Sequence, residues 1–176
     1  GDAPPEQPKA IFIAAPHTTN WDGVVMVLVA LAMGIRLSWL GKTSLFTGPK
    51  GYFMRLVGAV PVDRSGGLDT VQQVAKTFHE TDQMYLAVAP AGTRKKTDHW
   101  KTGFYHMAVA ANVPIFCGYL DYARGEGGVR EVVHPTGDIQ ADMSRFREIY
   151  ADVRGGRPEN ESEIRLRSQE AKPAME

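Results

Sequence analysis

His17-Thr18-Thr19-Asn20-Trp21-Asp22 follows directly on an apolar run, Ala10-Ile11-Phe12-Ile13-Ala14-Ala15, that ends at Pro16. A histidine with an aspartate five residues on can act as a general base with its own orienting acid. Neutral imidazole takes a proton near pH 7 when its tautomer is fixed, and a carboxylate on one ring nitrogen leaves the other free. Asp22 falls in the first turn of the helix expected next, where backbone N–H groups keep a carboxylate ionised. It is therefore expected to accept a hydrogen bond from His17 and to support the imidazolium that forms. This chemistry needs no nucleophilic serine or cysteine. The bland alternative is an ordinary turn in which Asn20 or Asp22 caps the helix and His17 is incidental.

Two further blocks suit an anion. In Gly58-Ala59-Val60-Pro61-Val62-Asp63-Arg64-Ser65-Gly66-Gly67 a short strand delivers Arg64 into a Ser/Gly loop ahead of a helix. The guanidinium fork and the helix N-terminus both suit phosphate, against the alternative of a surface Asp63/Arg64 ion pair. In Val88-Ala89-Pro90-Ala91-Gly92-Thr93-Arg94-Lys95-Lys96 an apolar strand runs into Gly92, which permits close backbone approach, the Thr93 hydroxyl and the Arg94 charge. The order of Gly, Lys and Ser/Thr does not fit a nucleotide-binding phosphate loop, and a solvated basic turn is the alternative. Asn112-Val113-Pro114-Ile115-Phe116-Cys117-Gly118-Tyr119 reads mainly as core.

These blocks must be positioned by an α/β scaffold. Strands are expected at Ala10–Ala15, Leu37–Leu40, Ala59–Val62, Met84–Ala89, Pro114–Leu120 and Val129–His134. Helices are expected at Asp22–Met33, Gly51–Val57, Leu68–Glu80, Gly103–Ala111 and Ala141–Asp152. The alternation predicts a single α/β domain with a mixed, mostly parallel sheet flanked by helices, and puts the His17 block in a strand-to-helix turn. The domain is expected over 1–154, with 155–176 a polar C-terminal tail that carries no chemistry. A chain of 176 residues, 43% of them hydrophobic, is long enough for one real core. Its zero net charge gives no global sign of nucleic-acid binding. Cys117, the single cysteine, excludes an internal disulfide, and the scattered His79, His99, His106 and His134 show no metal-ligand spacing. The apolar stretch Gly23–Ile35 is shorter than the roughly 18–20 residues that span a bilayer and is expected to be a buried helix. A chain that begins at Gly1 without methionine leaves a lost membrane anchor open.

Taken in order, the four blocks resemble the PlsC-like glycerolipid acyltransferase family, the lysophosphatidic acid (1-acyl-sn-glycerol-3-phosphate) acyltransferases, over roughly Ile11 to Tyr122. The family's His-x4-Asp motif is matched by His17 and Asp22, its phosphate-binding second motif by Gly58 through Arg64, and its apolar Val-Pro-Ile segment by Val113-Pro114-Ile115. Its third motif, Glu-Gly-Thr-Arg, is matched by Gly92, Thr93 and Arg94 but not by Ala91. The resemblance implies a glycerol-3-phosphate acyltransferase-like fold. It also implies acyl transfer from acyl-CoA or acyl carrier protein to a hydroxyl of a lysophospholipid or glycerol phosphate, with His17 as base. Arg64, Arg94 and Lys42 would hold phosphate, and no metal or redox cofactor is called for.

In the family the glutamate helps order the acyl-acceptor site. Ala91 therefore implies a Glu→Ala substitution, introduced deliberately or natural to an inactive homologue, and restoring glutamate is expected to raise activity. The competing class is a non-catalytic lipid- or acyl-carrier-binding homologue. A serine esterase is disfavoured because no Gly-x-Ser-x-Gly elbow occurs. The expected location is cytoplasmic, peripheral to or anchored on the cytoplasmic face of a membrane. Trp100, Phe104 and Tyr105, with His99 and Lys101, are read either as a membrane-facing surface or as ordinary packing.

Overall fold

Ala10, Ile11, Phe12 and Ile13 are fully buried, as a strand covered on both faces requires, and the sheet is built around them. The computed structural model describes residues 7–63 and 67–167. Its strands are β1 (Lys9–Ala15), β2 (Leu37–Lys42), β3 (Ala59–Val62), β4 (Met84–Val88), β5 (Ile115–Asp121) and β6 (Glu126–Val133). Its helices are α1 (Asn20–Ala32), α2 (Gly48–Leu56), α3 (Gly67–Glu80), α4 (Gly103–Ala111) and α5 (Ile139–Ile149). The strands pair in the order β3-β2-β4-β1-β5-β6, all parallel except β6, which runs antiparallel to β5. Parallel strands need crossovers, which α1, α2, α3 and α4 supply. The expected single α/β domain with a mostly parallel sheet is the architecture found.

The period of two along β1 divides the core into two layers. Ile11 and Ile13 join Phe78 of α3, Phe104 of α4 and Phe146 of α5 on one face. Ala10 and Phe12 join Met26 and Ala30 of α1, with Tyr85 and Phe116, on the other. Trp100, Phe104 and Tyr105 are 3%, 1% and 2% exposed. Trp100 packs edge-on to Phe104 and Tyr150, with centroids 6.1 and 5.8 Å apart. The packing alternative holds for these three, and they form no membrane-facing surface.

All six strands lie where the sequence predicts them, with shifted ends. β6 starts at Glu126, earlier than expected, because Gly127 and Gly128 interrupt the apolar pattern from which its start is read. α2 starts at Gly48 because Pro49 suits a first helical turn. Asp138 caps α5 by accepting from the N–H groups of Gln140 and Ala141 at 3.0 and 3.1 Å, which moves that helix forward.

Two expectations are corrected. α1 is not buried all round: Asp22, Met26 and Ala30 face the sheet, while Trp21, Val24, Leu28 and Leu31 are exposed. A single helix laid on a sheet buries one stripe only. The described part of the expected polar tail, residues 155–167, docks across the domain as a strap. Ile164 and Leu166 pack on the core, the Trp100 N–H donates to Arg165 O at 3.0 Å and the Glu163 N–H to Thr97 O at 3.2 Å. Two apolar side chains in an otherwise charged segment anchor it, too few to register as periodicity.

Gly118 lies opposite Ala14 in the parallel β1–β5 pairing, and a Cβ there would stand 2.1 Å from Phe12 Cε1 and 2.8 Å from Ile13 O. Gly118→Ala is expected to destabilise by about 1–3 kcal/mol through overpacking. Gly23→Ala, with nothing within 4 Å of the added carbon, is expected to stabilise α1 by about 0.5–1 kcal/mol. Urea unfolding of the two variants checks the opposite signs.

Candidate functional site

The carboxyl ends of β1 and β4 lie side by side, and the turn that leaves β1 is built around one carboxylate. After the cis Ala15–Pro16 peptide, Thr19 serves as the N-cap of α1, accepting from the Trp21 and Asp22 N–H groups at 3.2 and 3.3 Å. Asp22 at N3 reaches back to complete a capping box. Its Oδ2 accepts from the Thr18 N–H at 2.6 Å and the Thr19 N–H at 2.8 Å; its Oδ1 accepts from the Thr19 hydroxyl and, at 2.8 Å, from the Tyr122 hydroxyl beyond β5. Burial alone would raise the Asp22 pKa, but these donors outweigh it and hold the carboxyl below its ordinary range. Asp22 is therefore both the N3 partner in the capping box and an ionised buried charge.

His17 Nδ1 lies 3.8 Å from Asp22 Oδ2, beyond hydrogen-bond range. The expected direct bond is not made, because threonine and tyrosine donors already satisfy the carboxylate. The coupling is electrostatic. Burial of the imidazole lowers its pKa, the Asp22 charge pulls it back up and the Arg94 charge lowers it again; the net shift is downward from 6.5. His17 is consequently neutral at pH 7, the state a base requires.

His17 lines two hollows. One is shared with Trp39, Leu40, Gly92, Thr93 and Arg94. Gly92 has φ +67°, and a Cβ there would stand 2.9 Å from Lys101 Nζ, so glycine is needed both for the turn and for the lysine laid over it. The Lys95 N–H donates to Thr93 Oγ1 at 3.2 Å. This hollow gathers Arg94 and Thr93 beside the histidine, and Lys101 stands next to it. The other hollow is walled by Ala91, Trp100, Tyr150 and Val153 and edged by Arg154, Glu161 and Ser162.

His17, Asp22, Ala91, Gly92, Thr93 and Arg94 are thus brought together. Lys42 ends β2 at the same edge of the sheet but lines neither hollow. Arg64 lies outside the described residues. Among the described residues no group of three His, Cys, Asp or Glu side chains is placed to hold a metal ion.

Sequence reasoning missed Thr18, Tyr122 and the strap. The Thr19-x-x-Asp22 spacing of a capping box marks the turn in which Thr18 sits, though not Thr18 itself. Nothing local marks Tyr122 or Glu161. The strap holds the turn from outside: the Arg157 N–H donates to Thr18 Oγ1 at 3.2 Å, and a Cβ at Gly155 would stand 2.8 Å from Thr18 Cγ2.

A family model described as Acyltransferase matches residues 2–119. A 1-acyl-sn-glycerol-3-phosphate acyltransferase of Haemophilus influenzae is 32% identical over 114 residues, covering 61% of this chain and 45% of that protein. One of Streptococcus pneumoniae is 28% identical over 99 residues, covering 55% and 36%. The chain spans less than half the length of these curated relatives. Among solved structures, the 1-acyl-sn-glycerophosphate acyltransferase PlsC from Thermotoga maritima aligns with a TM-score of 0.52 at 17% identity, over 82% of this chain and 64% of that one. That likeness is one of fold.

The environment of His17 dictates its titration. Its midpoint, followed by the imidazole proton resonances, is expected below 6.5. Arg94→Ala should move it up by removing a like charge, and Asp22→Asn should move it further down by removing the opposite one. A wild-type midpoint above 6.5 contradicts the assignment.

Proposed function

The chain belongs to the Acyltransferase family, and from that premise we propose that it transfers a fatty acyl group from a thioester, acyl-CoA or acyl carrier protein, to a hydroxyl of a lysophospholipid or glycerol phosphate. The observation that carries this reading is a neutral, half-buried His17 set between an ionised Asp22 and the Gly92-Thr93-Arg94 turn. Nδ1 is the nitrogen nearer Asp22, which leaves Nε2 for the acceptor. His17 takes the hydroxyl proton as the oxygen attacks the thioester carbonyl. The tetrahedral oxyanion then collapses, the C–S bond breaks, and the departing thiolate recovers the proton from the imidazolium. The products are an ester and a free thiol, with no metal or redox cofactor in the balance. Asp22 stabilises the imidazolium while it lasts, and Arg94 holds the acceptor phosphate or carrier anion. Lys42 and Arg64 belong to the same anion-holding group by their motif positions.

The acceptor class calls for a membrane surface, and its place differs from the one expected. Among the described residues, every exposed large hydrophobic side chain except Val109 and Tyr122 falls between Trp21 and Val57, including Trp21 at 71%, Tyr52 at 76% and Leu56 at 72% exposure. From Gly23 to Val62 the sequence has no Asp or Glu and carries Arg36, Lys42, Lys50 and Arg55. An apolar, aromatic surface with only positive charge suits the interface of an anionic bilayer, as on a cytoplasmic leaflet. No described helix is long and apolar enough to cross a membrane.

Ala91 favours one other reading, a non-catalytic lipid- or acyl-carrier-binding homologue. Release of free thiol from acyl-CoA with and without lysophosphatidic acid separates the two. Acceptor-dependent release is expected, and His17→Ala should reduce it at least about 10²- to 10⁴-fold with an unchanged melting curve. Full turnover in that variant would falsify the base assignment. Cosedimentation is expected with vesicles of phosphatidylcholine plus phosphatidylglycerol and not with phosphatidylcholine alone. Leu28→Ser, Tyr52→Ser and Leu56→Ser together should abolish it.

A further inference from the structure

The hollow on the Ala91 side of His17 has one carboxylate among the described residues that line it, and that carboxylate comes from the strap. Glu161 reaches the hollow from beyond residue 119, where the family match ends. Its side chain is 24% exposed. Oε1 accepts the Gly155 N–H at 2.7 Å, which commits that oxygen to the strap. Among the described residues, Oε2 has one long contact, 3.9 Å to Nη1 of Arg154. A carboxylate can accept about four hydrogen bonds, so Glu161 keeps capacity for a donor at the edge of this hollow.

Ala91 is buried and faces the same hollow. A glutamate at position 91 would put a second carboxylate into the enclosure that already holds Glu161, and two like charges sharing a small buried space disfavour each other. The methyl group at 91 and the carboxylate at 161 are complementary. His17 stands between this hollow and the one that carries Thr93 and Arg94. A single polyol phosphate can therefore lay its phosphate on the Arg94 side and its hydroxyls on the Glu161 side, with the imidazole between them.

We propose that Glu161 is the acceptor-binding carboxylate of this site: it accepts a hydrogen bond from a hydroxyl of a glycerol phosphate and so holds the reacting hydroxyl at His17. The carboxylate that the resemblance places at position 91 is supplied here by the C-terminal strap. This rests on the acyl-acceptor reading of the His17 site. It reverses one expectation of that resemblance, because adding a glutamate at 91 crowds the site rather than restoring it.

The test is calorimetric titration of the purified chain with glycerol 3-phosphate, in wild type, Glu161→Gln, Ala91→Glu and the double variant. Glu161→Gln keeps an amide oxygen for the Gly155 N–H, so the strap stays docked and the melting curve should match wild type. A hydrogen bond to a charged group contributes enough that this variant should bind about 10-fold more weakly or worse. Ala91→Glu alone should also weaken binding, and the double variant should recover to within about 3-fold of wild type, the non-additivity expected of two groups in one enclosure. Wild-type affinity in Glu161→Gln, tighter binding in Ala91→Glu alone, or no binding by the wild-type chain overturns the proposal. Thiol release measured on the same proteins keeps the two readings apart. The binding pattern without acyl transfer refutes the transferase reading and leaves the Glu161 assignment standing; transfer with affinity indifferent to Glu161 does the reverse.

Discussion

One buried carboxylate holds the active end of this protein together. Asp22 accepts from two backbone N–H groups, two threonine hydroxyls and the Tyr122 phenol. Those donors belong to the turn after β1, the start of α1 and the segment after β5, so a single side chain ties three parts of the chain at one point. The network is fully satisfied, which is the condition under which a buried charge stabilises rather than costs. It also explains why His17 stands off at 3.8 Å. The carboxylate is needed first to build the turn, and its charge reaches the imidazole through space.

Sheet order decides what that turn can meet. β1 is paired with β4 on one side and β5 on the other, so the loops leaving β1 and β4 are neighbours although the residues they carry are far apart in sequence. Loops at the carboxyl ends of parallel strands, where the connections diverge, form the crevice in which α/β proteins bind ligands. The strap closes this crevice from a third direction. It rests on Thr18, the residue whose N–H and hydroxyl also face Asp22. The turn after β1 and the strap therefore meet at Thr18, next to His17.

The two sides of α1 have different surroundings. α1 begins at the base and buries Met26 and Ala30 on the sheet, while its opposite side leaves Trp21, Val24, Leu28 and Leu31 outside. An apolar helix of this length can be read from sequence as wholly internal, since hydrophobicity alone does not tell a second layer of protein from a lipid surface. From Gly23 to Val62 the sequence carries no acidic residue.

By itself the sequence determined the six strands, the five helices and the strand-to-helix turn that carries His17 and Asp22. These follow from periodicity, proline and glycine punctuation and capping spacings, whose free energies are set within a few residues. The Gly92-Thr93-Arg94 turn was legible for the same reason. Tertiary structure alone decided the strand order, the separation of His17 from Asp22, the exposure of one side of α1 and the arrival of Tyr122 and Glu161. Tyr122 is one hundred residues from its partner Asp22, and nothing local to either marks the other. The strap carried only Ile164 and Leu166 as apolar signal, too little to be read until a core existed for them to pack against. Contacts across such separations are selected by packing and by the satisfaction of buried polar groups, which act only once the chain has folded.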